Sequence, residues 1–300
     1  MAEIIKTVVV TGPTATGKTA LAVRLARKFN GEIVSVDSRQ VYRGMDLGTG
    51  KDLEEYGEIP YHLIDVADPA REEYNLARFC RDAHTAIAAI AGRRRLPILC
   101  GGTALYLAAL LDGYRLPGGK LPRRDSGLPR VRQNPSAEES YLPPFQLNPL
   151  LLAVYYPREE VHARIEARLD SRLADGMVDE VRRLHEERLV SYETLDSFGL
   201  EYREIARYLR RECSLLEMRN RLLYRIRQFA KRQDIFFRKL EREGHEIYWL
   251  RGGREPSPEE LIERFLRDDP LPPVPFRMCE TFYGRRDPQA APAVTGSPGV

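Results

Sequence analysis

Residues 12–19 read Gly12-Pro13-Thr14-Ala15-Thr16-Gly17-Lys18-Thr19, a complete G-x-x-x-x-G-K-[ST] phosphate-binding loop. The valines at 8–10 predict a buried strand before it, and residues 20–28 predict the helix that follows. In such a loop, backbone N–H groups and the positive end of the helix bind phosphate oxygens, Lys18 neutralises them, and Thr19 can hold Mg²⁺. The stretch predicts a polyphosphate site. Taken alone it suggests ATP, but it does not identify the phosphate compound.

Length and composition limit the fold more than the partner. The chain has 300 residues, enough for one large α/β domain with an elaboration or for two smaller domains. An apolar fraction of 43% can form a real core. The 47 basic and 44 acidic residues leave a net charge of +3, which indicates no particular partner.

The cysteines and the apolar segments indicate the compartment. Four cysteines, Cys80, Cys100, Cys213 and Cys279, are far apart in sequence and lie near no histidine cluster. This spacing argues against a zinc site or a disulfide framework and is typical of a reducing compartment. The amino terminus leads straight into the first strand, and no apolar run has the length of a membrane span. We therefore expect a cytoplasmic monomer with no membrane partner.

Strand and helix patterns alternate over the first part of the chain, residues 1–116. This alternation predicts an α/β fold, a parallel sheet with helices on both faces and a phosphate-binding loop of the P-loop NTPase type. The predicted strands are Thr7–Thr11, Glu32–Val36, Tyr61–Asp65 and Pro97–Cys100, and the predicted helices are Ala20–Lys28, Asn75–Ala91 and Ala104–Leu111.

Several polar residues follow these strands directly. Asp37, Asp65 and the segment Gly101–Thr103 each come after a predicted strand. Ligands of such sheets bind at the carboxyl ends of the strands. We therefore expect these residues on the same rim as the phosphate-binding loop.

The second half of the chain predicts three further regions. Residues 117–149, rich in Pro, Gly, Arg and Ser, indicate a short irregular insertion, and 150–253 indicate a helical segment that returns to the core. Residues 254–300 indicate one helix and a disordered Pro-rich tail. The predicted elements are a strand at Leu150–Tyr156, helices at Glu159–Asp175, Val178–Glu187, Tyr202–Arg210 and Ser214–Glu243, a strand at Glu246–Leu250 and a helix at Pro258–Arg267.

Two of the rim segments carry candidate catalytic groups. Asp37, followed by Ser38, Arg39 and Gln40, is placed to act as a general base or to bind Mg²⁺, directly or through water. The alternative for Asp37 is a helix N-cap. The hydroxyl of Thr103 can bond a carboxylate or a phosphate, and its alternative is likewise an N-cap.

The long helix at 214–243 has a basic face opposite an apolar stripe. A basic face of this kind suits an RNA backbone or a diphosphate, and the alternative is solvated charge with some salt bridges. Its basic residues are Arg219, Arg221, Arg225, Arg227, Lys231, Arg232, Arg238 and Lys239.

Taken together, these segments resemble a known family, the tRNA dimethylallyltransferases, also called tRNA isopentenyltransferases. An Asp-Ser-Arg-Gln block joined to this phosphate-binding loop is highly specific and is absent from ordinary kinases. The resemblance covers most of residues 6–116 and 159–250. It is carried by residues 12–19, 35–49, 62–65, 68–69, 101–103, 106–107, 199–204 and 229–233.

The resemblance implies a reaction and a role for each site residue. Such enzymes transfer a dimethylallyl group from dimethylallyl diphosphate to N6 of an adenine beside the tRNA anticodon. The loop at 12–19 then binds a leaving diphosphate, with Lys18 and a Mg²⁺ ion on Thr19 stabilising its charge. Asp37 accepts the N6 proton and Thr103 positions Asp37 or a phosphate oxygen. The flipped-out adenine of the anticodon stem-loop contacts residues 38–40.

Two departures from the family pattern bear on the acceptor and on activity. The region 117–149 is shorter than the usual insertion, which suits a smaller acceptor such as free AMP, ADP or ATP. Asp196 stands where an arginine usually grips the diphosphate, and we expect it to repel the leaving group unless it helps to hold Mg²⁺ or Arg203, Arg123 or Arg124 compensates. A diverged RNA-binding protein with weak or no catalysis is therefore a further alternative, and a generic phosphate-loop kinase or ATPase is the last.

Overall fold

The sheet has six strands, all parallel, in the order β3-β2-β4-β1-β5-β6. The computed structural model describes residues 3–112 and 145–280, and every statement on elements below concerns these two ranges. The strands are β1 (Glu3–Thr11), β2 (Gly31–Ser35), β3 (Tyr61–His62), β4 (Leu96–Cys100), β5 (Phe145–Tyr155) and β6 (Ile247–Arg251).

Helices cover both faces of this sheet. One face is covered by the first and the last helix and the other face by the helices between them. The helices are α1 (Lys18–Lys28), α2 (Leu76–Gly92), α3 (Ala104–Leu111), α4 (Arg158–Ala174), α5 (Met177–Glu186), α6 (Tyr192–Phe198), α7 (Leu200–Leu209), α8 (Leu215–Arg242) and α9 (Pro258–Leu266).

The valines of β1 show why both faces need cover. Val8 and Val10 are buried against α1 and α9, whereas Val9 is buried in the core on the other face. A strand that buries successive side chains on opposite faces reads as a continuous apolar run, which is typical of parallel sheets. The predicted α/β class and the parallel sheet are confirmed.

The strand order brings three loops to one rim. The register pairs Val10 of β1 with Cys100 of β4, and Cys100 with Ser35 of β2. These three strands therefore end side by side at the centre of the sheet, where the connections leave in opposite directions. The loops after Thr11, Ser35 and Cys100 meet there.

β5 differs from its prediction. It begins at Phe145 rather than at Leu150, so residues 145–149 are strand and not part of an irregular insertion. Pro149 lies within it, and a proline argues against a strand when only the sequence is read. The rest of the predicted insertion, residues 117–144, lies outside the described residues.

One further strand was predicted too long, and one helix was not predicted. The third strand ends at His62 instead of Asp65, because Leu63 and Asp65 have φ angles of 64° and 56°, which no strand adopts. α6 was not predicted. It is a short helix whose first turn is capped by Ser191, which accepts a hydrogen bond from the Thr194 N–H.

Part of the tail that was expected to be disordered is held in place. The backbone N–H groups of Met278 and Cys279 donate to the buried carboxylate of Glu241 in α8, at 3.0 and 2.6 Å. The same carboxylate accepts from Trp249 Nε1 at 2.7 Å. Residues 277–279 are therefore held against α8, whereas Leu271 and Val274 pack on the face covered by α1 and α9. Residues 281–300 lie outside the described residues.

The residues that flank the segment 113–144 lie near the amino-terminal ends of the strands, on the side of the sheet opposite the rim. α3 runs from the rim back along the sheet to Asp112, whose carboxylate is 3.0 Å from Nε2 of His245, just before β6. Phe145 begins β5 and pairs with Glu3 at the start of β1. Both ends of the undescribed segment thus lie at the amino edge of the strands.

Within residues 3–112 and 145–280, no helix combines the length and the apolarity that crossing a membrane requires.

Candidate functional site

The phosphate-binding loop is closed by its own backbone and side chains. Gly12 has a φ of +134°, and a Cβ there would lie 2.3 Å from the carbonyl oxygen of Val154, so only glycine fits. The hydroxyl of Thr16 and the ammonium of Lys18 both donate to the carbonyl of Pro13, at 2.8 and 2.7 Å. The amides of the loop and the start of α1 form the anion-binding end of this helix.

Lys18 is a cation with a weakened hold on its proton. Burial lowers the pKa of Lys18 from 10.5 to about 8. Cys100 and Asp37 oppose this shift, and the neighbouring cation Arg168 adds to it. An anionic ligand would stabilise the ammonium form of Lys18, because the attraction between opposite charges offsets the hydration that the ammonium loses on burial.

The two carboxylate oxygens of Asp37 have different surroundings. Oδ1 accepts the backbone N–H of Arg39 at 2.8 Å and that of Gln40 at 3.3 Å, which is an Asx-type turn and not a helix N-cap, because residues 38–41 form a turn and no helix follows Asp37 directly. No hydrogen bond from a described residue reaches Oδ2. The helix N-cap alternative for Asp37 is therefore wrong. One oxygen fixes the turn, and the other can accept a proton, so the catalytic interpretation stays a prediction.

Thr103 joins two of the strand ends. Its Oγ1 accepts the backbone N–H of Ser38 at 3.1 Å, and its own N–H donates to the Val36 carbonyl at 3.2 Å. Although Thr103 precedes α3, its side chain does not cap that helix. The Thr103 hydroxyl donates to no residue within 3–112 and 145–280, so its proton can be donated to a carboxylate or to a phosphate. The hydroxyl of Thr11 adds a bond to the Gly101 carbonyl at 2.8 Å.

The other two residues of the Asp-Ser-Arg-Gln block bind within the protein. Arg39 donates to the Ser197 carbonyl at 3.2 Å and lies over the ring of Phe198 at 5.5 Å, and burial lowers its pKa. The amide of Gln40 accepts from Ser35 Oγ at 2.9 Å and donates to the Gly50 carbonyl at 3.1 Å. Their predicted contact with adenine stays a prediction.

A second cation, Arg168 of α4, lies at the site although the sequence did not indicate it. Burial, then the neighbouring Arg172, lowers the pKa of Arg168 to about 10, while Asp52, Glu201 and Asp37 act in the opposite direction. No hydrogen bond or ion pair joins Arg168 to another described residue, whereas Arg172 pairs with Asp52 at 3.0 Å.

Gly50 shows how closely these arginines approach the loop at 46–50. It has a φ of +68°, and a Cβ there would lie 2.1 Å from a guanidinium nitrogen of Arg168 and from one of Arg172. The same residue fixes Gln40 through its carbonyl. Arg168 is thus held beside the Asp37 turn by packing rather than by an ion pair.

Asp196 does not leave a bare carboxylate at the site. It forms an ion pair with Arg210 at 3.2 Å, and its backbone carbonyl accepts from Nε and Nη2 of Arg203 at 2.9 and 2.8 Å. The expectation that Asp196 repels the leaving group is therefore not supported. Arg203 is engaged in these bonds, and Arg123 and Arg124 lie outside the described residues.

Much of the basic face of α8 is used inside the protein. Arg219 and Arg227 bind Glu166 of α4 at 3.1 and 2.8 Å, and Arg225 binds the buried Glu204 at 2.6 Å. These pairs fasten α8 to its neighbours. The salt-bridged alternative thus holds for this part of the face, while Arg221 and Arg232 remain exposed.

Gln233 of α8 also reaches the site. It is the last residue of the segment 229–233 that carries the family resemblance, and that resemblance assigned it no role. It is 5% exposed, and its amide bonds the loops at Thr14 and Gly102. Neither Gln233 nor Arg168 follows a strand, which is why reading the rim from the sequence did not find them. Both are brought in from helices by long-range packing.

The donor set suits a magnesium ion that takes most of its ligands from a diphosphate and water. Among the described residues, no three His, Cys, Asp or Glu side chains gather as a metal site. Thr19 is the second residue of α1, directly after the loop, and its side chain lies within hydrogen-bonding distance of the Cys100 thiol. Mg²⁺ typically binds through a few protein oxygens together with substrate phosphates, so this arrangement fits.

The geometry combines a cationic phosphate cradle with a half-free carboxylate. Lys18, the loop amides and Arg168 can stabilise negative charge that develops on a phosphate. Asp37 can accept a proton from a nucleophile that approaches the same rim. Such a site favours displacement of a phosphorylated leaving group by a protonated nucleophile.

Comparison with known proteins gives a consistent result. The profile of a family described as IPP transferase matches residues 40–142 and 125–240, and one described as isopentenyl transferase matches residues 5–58. The chain is 42% identical over 298 residues to tRNA dimethylallyltransferase 1 of Geotalea uraniireducens, covering 88% of this chain and 98% of that protein. It is 44% identical over 287 residues to its counterpart in Geotalea daltonii, covering 84% and 93%.

Two solved structures share the fold. A eukaryotic dimethylallyltransferase described as acting on tRNA superposes with a TM-score of 0.73 at 25% identity, over 89% of this chain and 81% of that one. A tRNA isopentenylpyrophosphate transferase from Staphylococcus epidermidis gives 0.69 at 26% identity, over 88% and 98%.

Proposed function

The chain belongs to the tRNA dimethylallyltransferase family, and from that premise we propose that it transfers a dimethylallyl group from dimethylallyl diphosphate to N6 of an adenine beside the tRNA anticodon. The observation that carries the proposal is the meeting of the phosphate-binding loop, Asp37 and Thr103 on one rim. Family membership makes the chain a prenyltransferase, so phosphoryl transfer by a kinase is set aside.

Each group then has a part in the displacement. The N6 amine attacks C1 of the dimethylallyl group while the C–O bond to the diphosphate breaks. Asp37 Oδ2 accepts the proton that the amine loses, and Thr103 holds the turn that carries Asp37. The electron pair of the broken bond leaves with the diphosphate, which Lys18 and the amides of residues 12–19 bind.

In this proposal Arg168 binds the diphosphate in place of the arginine that the family usually has at the position of Asp196. It is a guanidinium beside Lys18 and Asp37 without an ion pair to a described residue, and a diphosphate is a fitting counter-ion. A Mg²⁺ ion on Thr19 would add Lewis-acid neutralisation of the leaving diphosphate. Ser38, Arg39 and Gln40 would shape the adenine pocket, since the target base has to leave its stack.

The acceptor is proposed to be the anticodon stem-loop of tRNA. The exposed basic side chains that remain on α8 suit a phosphate backbone. The division into residues 1–116, 117–149, 150–253 and 254–300, the monomeric state and the cytoplasmic location remain predictions.

One experiment separates the candidate acceptors. Purified protein is incubated with labelled dimethylallyl diphosphate and Mg²⁺, in parallel with tRNA, with AMP, ADP and ATP, and with no acceptor. Prenyl-adenosine in digested tRNA is the expected product. Label only on a free nucleotide would replace tRNA as acceptor, and salt-sensitive tRNA binding without transfer would identify a non-catalytic RNA-binding protein.

A further inference from the structure

Gln233 bridges the two loops that the proposed reaction has to hold at a fixed separation. Its Oε1 accepts the backbone N–H of Thr14 at 2.8 Å, and its Nε2 donates to the Gly102 carbonyl at 3.0 Å. Thr14 lies in the phosphate-binding loop and Gly102 precedes Thr103. One buried amide thus links the diphosphate side of the rim with the side that orients Asp37.

Gln233 and the two loops are in close contact. A Cβ on Gly102 would lie 2.5 Å from Gln233 Nε2 and 3.3 Å from the Gly12 carbonyl oxygen. Both loops therefore pack directly against the glutamine and against each other. A shift of one loop relative to the other breaks at least one of these buried hydrogen bonds.

An amide matches both partners at this position at any pH. The Thr14 N–H needs an acceptor and the Gly102 carbonyl needs a donor, which glutamine supplies from the two ends of one planar group. A carboxylate accepts from Thr14 but repels the carbonyl, and an apolar side chain leaves both backbone groups without a partner.

Glu241 offers a contrast on the same helix. It is also buried, and it binds Trp249 together with the backbone of Met278 and Cys279. Its partners belong to the core and to the part of the tail held against α8. The two partners of Gln233 belong to the candidate site, which separates a purely structural anchor from one that sets the geometry of the rim.

We propose that Gln233 is a positioning residue for prenyl transfer, which fixes the distance between the bound diphosphate and the Asp37–Thr103 side of the site. This inference rests on the proposed function. A misplacement of about 1 Å between reacting groups costs up to about 100-fold in rate. The residue itself contacts neither reacting atom in this role.

The test uses Gln233→Glu and Gln233→Met in the full chain, with Gln228→Glu and Gln228→Met as matched controls. Gln228 lies on the same helix and makes no hydrogen bond to another described residue. Steady-state kinetics give kcat and the two KM values, and titration with inorganic diphosphate and with tRNA gives the affinities. We expect kcat to fall about 10- to 100-fold in both Gln233 variants, with tRNA affinity within about twofold of wild type.

The pH profile separates positioning from loss of packing. A protonated carboxylic acid in Gln233→Glu can donate to the Gly102 carbonyl while it accepts from Thr14. The kcat of this variant relative to wild type should therefore rise as the pH falls from 8 to 5. The same ratio for Gln233→Met should stay flat, since methionine does not titrate.

The outcomes distinguish this inference from the proposed function. If wild-type protein makes prenyl-adenosine while both Gln233 variants keep kcat within twofold, Gln233 has no positioning role and the proposed function stands. Absence of product with wild type defeats the proposed function instead. If neither Gln233 variant shows a thermal unfolding transition, both are unfolded and Gly102→Ala is used instead. The new Cβ at position 102 would press on Gln233 Nε2 and so strain the same bridge. An unchanged kcat in Gly102→Ala would overturn the inference.

Discussion

Asp37 Oδ1 accepts the backbone N–H of Arg39 at 2.8 Å, and this bond fixes the direction in which Oδ2 points. Replacing Asp37 by Asn preserves an acceptor for the turn but removes the base. We expect the rate of prenyl transfer to fall about 10²- to 10⁴-fold, with the melting temperature nearly unchanged.

The variant Asp37→Ala removes the side-chain acceptor of the turn as well. It should lose activity to the same extent and cost about 1 kcal/mol of unfolding free energy besides, because the turn loses its hydrogen bonds to Asp37. Chemical denaturation of the two variants measures this difference. If Asp37→Asn transfers the prenyl group at close to the wild-type rate, Asp37 is not the proton acceptor.

Lys18 gives the site a dependence on pH. Because the pKa of Lys18 in the folded protein is about 8, its ammonium is lost above that pH, and affinity for inorganic diphosphate should fall as pH rises from 8 to 10. Diphosphate itself titrates, so the measurement is the difference between wild type and Lys18→Met. The expected difference shrinks above pH 8, and a constant difference would contradict the assignment.

Stability should change in the opposite direction over the same range. Between about 8 and the ordinary value of 10.5, the unfolded chain holds a proton on Lys18 that the folded protein has lost. The unfolding free energy contributed by Lys18 therefore rises with pH across this window. Urea denaturation at pH 8 and pH 10, again relative to Lys18→Met, tests the sign.

Arg168 should contribute to diphosphate affinity. A charge-assisted hydrogen bond of about 1.5–3 kcal/mol corresponds to a loss of about 10- to 100-fold in affinity for inorganic diphosphate in Arg168→Met. Arg164→Met is the matched control, because Arg164 lies one turn earlier on α4 and pairs with Glu160 at 3.2 Å. Calorimetric titration measures both. If wild type and Arg168→Met bind inorganic diphosphate with equal affinity, Arg168 does not contact the diphosphate.

Asp196 should be dispensable for catalysis. Its ion pair with Arg210 is partly exposed, so Asp196→Ala is expected to cost no more than about 1 kcal/mol of stability. Activity should stay within about threefold of wild type, because the carboxylate already has a cationic partner. A large gain in activity would mean that the aspartate does repel the diphosphate.

The rim residues were predictable because their position follows from strand order and polarity. Thr11, Ser35 and Cys100 each end an apolar run, and parallel strands place their carboxyl ends together. The positions of the phosphate-binding loop and of Asp37 followed from these two observations alone. The same local signals placed α2 within a residue at each end, with Asn75 as its cap.

The contribution of the helices was not predictable in this way. Arg168 and Gln233 lie about 150 and 220 residues beyond the loop in sequence. Gln233 belongs to the segment 229–233 that carries the family resemblance, but no local pattern shows which groups either side chain contacts. The ion pair of Asp196 with Arg210 was not predictable either, because Arg210 lies at the end of the next helix.

The two ends of the segment 113–144 have a consequence for the path of the chain. Asp112 and Phe145 lie at the amino edge of the strands, whereas the rim with Asp37 and Thr103 lies at the carboxyl edge. The chain thus leaves the sheet and returns to it on the side away from Asp37 and Thr103. The strand ends before these two residues are positioned by the pairing of β1, β2 and β4, in which this connection takes no part.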